Sequence, residues 1–161
     1  RSSAASDVYK RQTGKGARRA GLGLGPVALD LGSLEHEVAM VALLERLLAE
    51  HPGATAVTGH ELRARRAREY AVAPRPGPFD AEPPRPRMPD AVLCLPDGRA
   101  IAVELDRSRK VEAELRRVVE QYDRSERYAA VWWYVAEDIV GGIDRVRRVA
   151  ARDYIEVRPW P

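Results

Sequence analysis

The segment MPDAVLCLPDGRAIAVELDRSRK, residues 88–110, sets the architecture of the chain. It reads as two short strands, residues 91–95 and 99–106, joined by a tight turn. Pro89-Asp90 opens the first strand, and Pro96-Asp97-Gly98 is turn chemistry, with Gly98 supplying a positive φ. Along the second strand Ile101, Val103 and Leu105 point to one face, while Ala102, Glu104 and Asp106 point to the other. Placing carboxylates at the end of an apolar strand costs several kcal/mol unless a cation compensates them. With Asp90 entering beside Glu104 and Asp106 on the neighbouring strand, the three acids ask for a shared cation. Oxygen-only ligands suit Mg²⁺ or Mn²⁺ rather than zinc.

Composition narrows the function classes. With 161 residues the chain is long enough for one domain with a substantial core. Its 27 Lys+Arg against 24 Asp+Glu leave a net charge of +3, too small to argue nucleic-acid binding from bulk charge, so any such surface must be local. The single cysteine, Cys94, excludes an internal disulfide and reads as a small core residue. No apolar run approaches the length of a membrane span. No signal peptide is evident, which leaves a cytoplasmic location as the default expectation.

Outward from the hairpin, residues 1–25 are expected to form a disordered tail. Within it RSSAASDVYKRQ (residues 1–12) resembles translated adapter read-through and is read as non-native. The following GKG and GLGLG lack the Lys-Ser/Thr ending of a phosphate-binding loop. Residues 33–50 are a helix, with Ser33 as N-cap and Leu34, Val38, Val41, Leu44 and Leu48 at helical spacing. In its first turn Glu37 is first of all a dipole-compatible surface acid. A helper role at a metal site is the alternative for Glu37 and stays open for His36. Residues 54–58 read as a strand, and Thr58 as the cap of a short helix over 60–70. That helix carries Arg63, Arg65, Arg66 and Arg68, either a solvated face or a phosphate-contacting patch; the density of arginine favours phosphates. Residues 72–87 are proline-rich and expected to be extended or mobile, with Arg87 adding to the basic surface.

Beyond the hairpin, residues 108–126 form a second helix with Val111, Leu115, Val118, Val119 and Tyr122 as its buried stripe; Arg109 and Lys110 stay polar. AAVWWYVA (129–136) is a continuous apolar run, as expected for a strand covered on both faces. A third helix over 139–151 and an edge strand over 154–157 complete the pattern. The connection from residues 99–106 through the helix to 129–136 should be a right-handed parallel crossover. The fold class is therefore α/β, a mixed β-sheet flanked by helices, with residues 26–161 as a single domain.

With Pro-Asp on one hairpin strand and Glu-x-Asp on the next, this order resembles the PD-(D/E)xK nuclease superfamily over roughly residues 33–157. More narrowly, RPRMPDAVLCLPDGRAIAVELDRSRK, then LRRVVEQY and YAAVWWYV, are similar to the replication-relaxation domains of actinobacterial plasmids and integrative elements. The resemblance implies a restriction-endonuclease-like fold with an αβββαβ core. It implies Asp90 as the first metal-binding acid and Glu104 as the second. Asp106 stands where the superfamily's catalytic lysine is usual, and Lys110 is the candidate migrated substitute.

On these grounds the catalytic set is Asp90, Glu104, Asp106 and Lys110, with Asp90, Glu104 and Asp106 holding Mg²⁺ or Mn²⁺. Such an ion would neutralise developing charge and acidify the attacking water of a phosphodiester hydrolysis. Arg63, Arg65, Arg66, Arg68, Arg87 and Arg109 are the candidate DNA contacts. The expected activity is a metal-dependent DNA endonuclease of a plasmid, mobile element or defence system. The alternative is a catalytically degenerate DNA-binding module of the same fold. Expected partners are DNA and no membrane, with a second copy or a mobile-element protein as further candidates. For Asp90, a strand-opening cap after proline would explain the residue equally well. For Asp106, an N-cap of the following helix would do the same.

Overall fold

The 88–110 hairpin forms as expected and lies at the centre of the sheet in a computed structural model that describes residues 31–64, 68–72 and 87–161. Its strands are β2 (Ala91–Cys94) and β3 (Ala100–Asp106). Gly98 holds φ 85° in the turn, where a side chain would be strained. Upstream lie α1 (Leu31–Glu50), β1 (Thr55–Thr58), the short α2 (Gly59–Ala64) and a 3₁₀ turn (Arg68–Tyr70). Downstream follow α3 (Glu112–Asp123), β4 (Ala130–Ala136), α4 (Gly142–Val149) and β5 (Ile155–Trp160). The tail over 1–25, Arg65, Arg66, the Arg68 side chain and most of the proline-rich segment fall outside the described residues.

The sheet has five strands in the order β1-β2-β3-β4-β5. β1 and β3 run antiparallel to β2, whereas β4 runs parallel to β3 and β5 parallel to β4. The crossover through α3 is therefore parallel, as the sequence predicts. β5 is an edge strand and runs three residues further than expected. Pro159 is tolerated there because an edge strand can leave one backbone position undonated.

Helices cover both faces. On one, Met40, Leu43, Leu44 and Leu47 of α1 pack against Leu93, Ile101, Val103, Leu105, Trp132 and Tyr134. On the other, Leu115, Val118 and Val119 of α3 and Val146 and Val149 of α4 enclose Ala102, Val131, Trp133 and Val135. The alternation read on β3 is thus correct, and β4 is apolar throughout because both of its faces are buried. The stripe assigned to α1 needs correction. Val38 and Val41 are each 52 % exposed, and the inward set 40, 43, 44, 47 is the true i, i+3, i+4, i+7 stripe.

α3 begins four residues later than expected. Val111 is its N-cap, with no side-chain capping bond, and is 69 % exposed rather than part of the core stripe. Asp106 is therefore not an N-cap, and Lys110 precedes the helix instead of lying one turn inside it. α4 is also shorter than expected. Gly141 adopts φ 66° before it, and Gly142 fits because it lacks the Cβ that would stand 2.7 Å from Ile139 Cγ2. At α2 the expected cap is present: Glu61 N–H donates to Thr58 Oγ1 (3.3 Å), and Thr58 N–H donates back to Glu61 Oε2 (3.0 Å). Among the described residues no helix is long and apolar enough to cross a membrane.

Candidate functional site

Strand geometry brings the three acids to one end of the hairpin. Asp90 immediately precedes β2, where Ala91 pairs with Val103, so it enters beside the last residues of β3. The Leu105 amide donates to Asp90 Oδ2 at 3.0 Å, which fixes that carboxylate across the strand pair. Glu104 and Asp106 share the face of β3 that looks toward α3, and the parallel register sets Glu104 opposite Trp133.

Each acid already has a basic side chain beside it. Arg87 Nη2 donates to Glu104 Oε2 at 2.7 Å, and Arg87 Nε lies 3.4 Å from Oε1. Tyr122, on the buried face of α3, donates its hydroxyl to Glu104 Oε1 at 2.5 Å. Glu104 is 0 % exposed. Lys110 swings back from the β3–α3 connection and forms an ion pair with Asp106, which is itself buried. His36, in the first half of α1, places Nε2 3.7 Å from Asp90 Oδ2.

These pairings govern protonation. Complete burial pushes the Glu104 carboxyl up, and Arg87 and the Tyr122 hydroxyl pull it back. Arg87 is raised in turn by Glu104. A guanidinium facing a neutral acid would have no counter-charge, so the pair is ionic at neutral pH. Burial likewise raises Asp106 against the pull of Lys110. Burial alone would depress Lys110, yet Asp106, Glu104 and Asp90 together hold it above its usual range. For Asp90, desolvation is outweighed by His36, the Leu105 amide and Lys110, and the carboxyl is lowered. His36 is raised, chiefly by Asp90. The Trp133 indole N–H is buried and makes no full hydrogen bond among the described residues, although it lies near enough to Asp106 to favour the charged form.

A cleft of about 410 Å³ opens at this end of the sheet, and Glu35, His36, Asp90, Asp106, Ser108 and Lys110 line it. It lies at the carboxyl end of β3, beside the parallel β3–β4 pair, where open α/β sheets commonly bind ligands. Glu104 does not reach the cleft. The structure thus brings Asp90, Asp106, Lys110 and His36 together and leaves Glu104 behind them.

A divalent ion shared by Asp90, Glu104 and Asp106 does not fit this arrangement. Both Glu104 oxygens are occupied in an interior without solvent access, and Asp106 and Asp90 each face a basic side chain, Lys110 and His36. Among the described residues no three metal-ligating groups cluster around a common point. The basic surface also differs from expectation. Arg87 is spent on Glu104 rather than exposed for DNA. Arg63 Nη2 lies 3.1 Å from Glu37 Oε1, so both side chains form a surface pair and Glu37 is no helper at the acids. Arg109 is exposed, on the extended segment before α3.

The pairing roles of two residues central to the site are not evident from the sequence. Tyr122 reads as core by periodicity, but a buried tyrosine must place its hydroxyl, and that requirement was the available signal. Arg87 stands three residues before Asp90 among prolines, where nothing in the local pattern marks it as inward-facing. Set against family models, curated proteins and solved structures, the chain matches none of them.

Proposed function

We propose that this chain is a restriction-endonuclease-like domain that binds DNA without cutting it, in the service of plasmid or mobile-element replication or transfer. The observation that carries the loss of cutting is the buried Arg87–Glu104–Tyr122 arrangement, which takes the second acid out of reach of any ion or substrate. Support for the fold assignment comes from the αβββαβ element order, the mixed strand directions, and Asp90 and Glu104-x-Asp106 at one end of the central hairpin. Support for DNA as ligand comes from the sequence resemblance and from Arg109, exposed on the connection that borders the cleft, where Arg107 and Lys110 are paired with Glu35 and Asp106. Phosphate contacts of this kind give salt-sensitive binding that needs no metal.

A metal-dependent endonuclease is favoured by one separate observation: Asp90, Asp106 and Lys110 do share the cleft. One experiment separates the two activities. A labelled duplex is titrated with the protein in EDTA at several salt concentrations, and plasmid DNA is incubated with it in Mg²⁺ or Mn²⁺. Binding in EDTA that weakens with salt, with intact plasmid, is the expected outcome. Metal-dependent cleavage abolished by Glu104→Gln would establish the endonuclease instead. Absence of binding at low salt would remove DNA as the ligand.

A further inference from the structure

We propose that Arg109 and Arg145 clasp a phosphate group in a recess at the carboxyl ends of β3 and β4, next to the acid-lined cleft. With DNA as the source of that phosphate, the inference rests on the reading above and names its backbone contact. The two arginines come from different connections. Arg109 lies on the extended segment before α3 and Arg145 near the start of α4, yet both line the one recess, with Ser108 and Gly142 between them in sequence.

Charge sets these two arginines apart from their neighbours. Arg107 lies 3.6 Å from Glu35, Lys110 pairs with Asp106, Arg116 and Arg148 share Glu112, and Arg152 pairs with Asp123. Arg109 and Arg145 have no acidic partner among the described residues. Asp106 is the one acid that lines the recess, and Lys110 already balances it. Glu137, Asp138 and Asp144 do not line it; Asp144 is exposed, about 100° round the helix from Arg145. Two guanidiniums brought to one recess repel each other until an anion joins them, and each offers the planar fork that matches phosphate oxygens. α4 adds the same sign, because its N-cap Gly141 supplies no side-chain acceptor to the positive end of the helix. Size decides what enters. The recess holds about 10 Å³, room for one water-sized group. A phosphate oxygen can occupy it and a base or sugar cannot, so the contact positions a backbone without reading sequence.

The test uses the full chain, labelled duplexes in EDTA, and inorganic phosphate as a second probe. Arg109→Gln and Arg145→Gln should each weaken duplex binding about tenfold at low salt, equally for unrelated sequences, and lower the slope of log affinity against log salt by about one. Arg145→Lys keeps the charge and loses the fork, so it should restore the slope but only part of the affinity. Arg147→Gln removes an exposed arginine of the same helix outside the recess and should change affinity by no more than about twofold. In the parent, inorganic phosphate should shift the NMR signals of the Arg109 and Arg145 Nε–H groups and leave that of Arg147 in place. Recess variants that bind DNA as well as Arg147→Gln would overturn the clasp. So would losses that depend on the duplex sequence, or inorganic phosphate that moves neither signal. A parent that binds no duplex but shows both shifts would uphold the clasp and assign it to a free phosphate, and DNA would fall as the source.

Discussion

Glu104→Gln gives opposite signs for the two roles that this residue could hold. A carboxylate kept ionised to await a metal is repelled by its neighbours while the metal is absent, so neutralising it would stabilise the metal-free protein. A carboxylate already paired with Arg87 behaves otherwise. The substituted amide would keep the shape and one acceptor for Arg87 and Tyr122, but it would leave the guanidinium without a counter-charge. Breaking one side of a buried ion pair costs about 3–5 kcal/mol. Arg87 is 28 % exposed and regains some hydration, which puts the expected loss at the lower end, about 3 kcal/mol. For a chain of this size that is a fall in Tm of roughly 6–12 °C. Urea unfolding in EDTA, followed by the fluorescence of Trp132, Trp133 and Trp160, measures it directly. Equal or greater stability of Glu104→Gln under those conditions would refute the ion-pair role.

Three further outcomes follow from the same geometry. Tyr122→Phe removes one charge-assisted hydrogen bond from a site sealed from water, so urea unfolding should show a loss of about 1.5–3 kcal/mol. Gly59→Ala places a Cβ 2.5 Å from the Asp90 carbonyl oxygen; because backbone must shift to admit it, a loss of about 1–3 kcal/mol is expected in the same assay. His36 is raised by Asp90, so its contribution is complete below the unfolded value near 6.5 and is lost as pH rises through the higher folded value. The stability of the parent minus that of His36→Gln should therefore shrink as pH rises from about 6 toward about 8; a difference that grows instead would contradict the His36–Asp90 pairing.

Much of the scaffold was legible because it follows from period and burial. The two-faced alternation of Ile101 to Asp106, the unbroken apolar run of β4 and the parallel crossover all depend on which faces are covered, and hydrophobic pattern reports that directly. Helix starts were less legible. Ser33 and Asp106 look like caps, yet Ser33 already lies within α1 and α3 begins only at Glu112, after Val111. The site was legible as an accumulation of negative charge and not in its neutralisation. Asp90, Glu104 and Asp106 declare themselves by standing among apolar neighbours. Their partners come from residues at other separations: Tyr122 is 18 positions from Glu104, Arg87 is 17 positions away, and His36 comes from a helix on the opposite face. Only the closed sheet relates them.

The choice between metal and arginine at such a site rests on what each demands of the surroundings. A hard divalent ion needs several oxygens and retained water, hence a site that stays open at one side. A guanidinium brings its donors in a fixed fork, needs only one well-placed carboxylate, and tolerates loss of water on the carboxylate side. Glu104 lies fully enclosed between β3 and α3, with Tyr122 capping its remaining oxygen, and those are the conditions that suit arginine. Asp90 and Asp106 keep one side open to the cleft, yet His36 and Lys110 stand where ion ligands would have to converge. The charge that gathers at the end of this sheet is therefore balanced residue by residue within the chain.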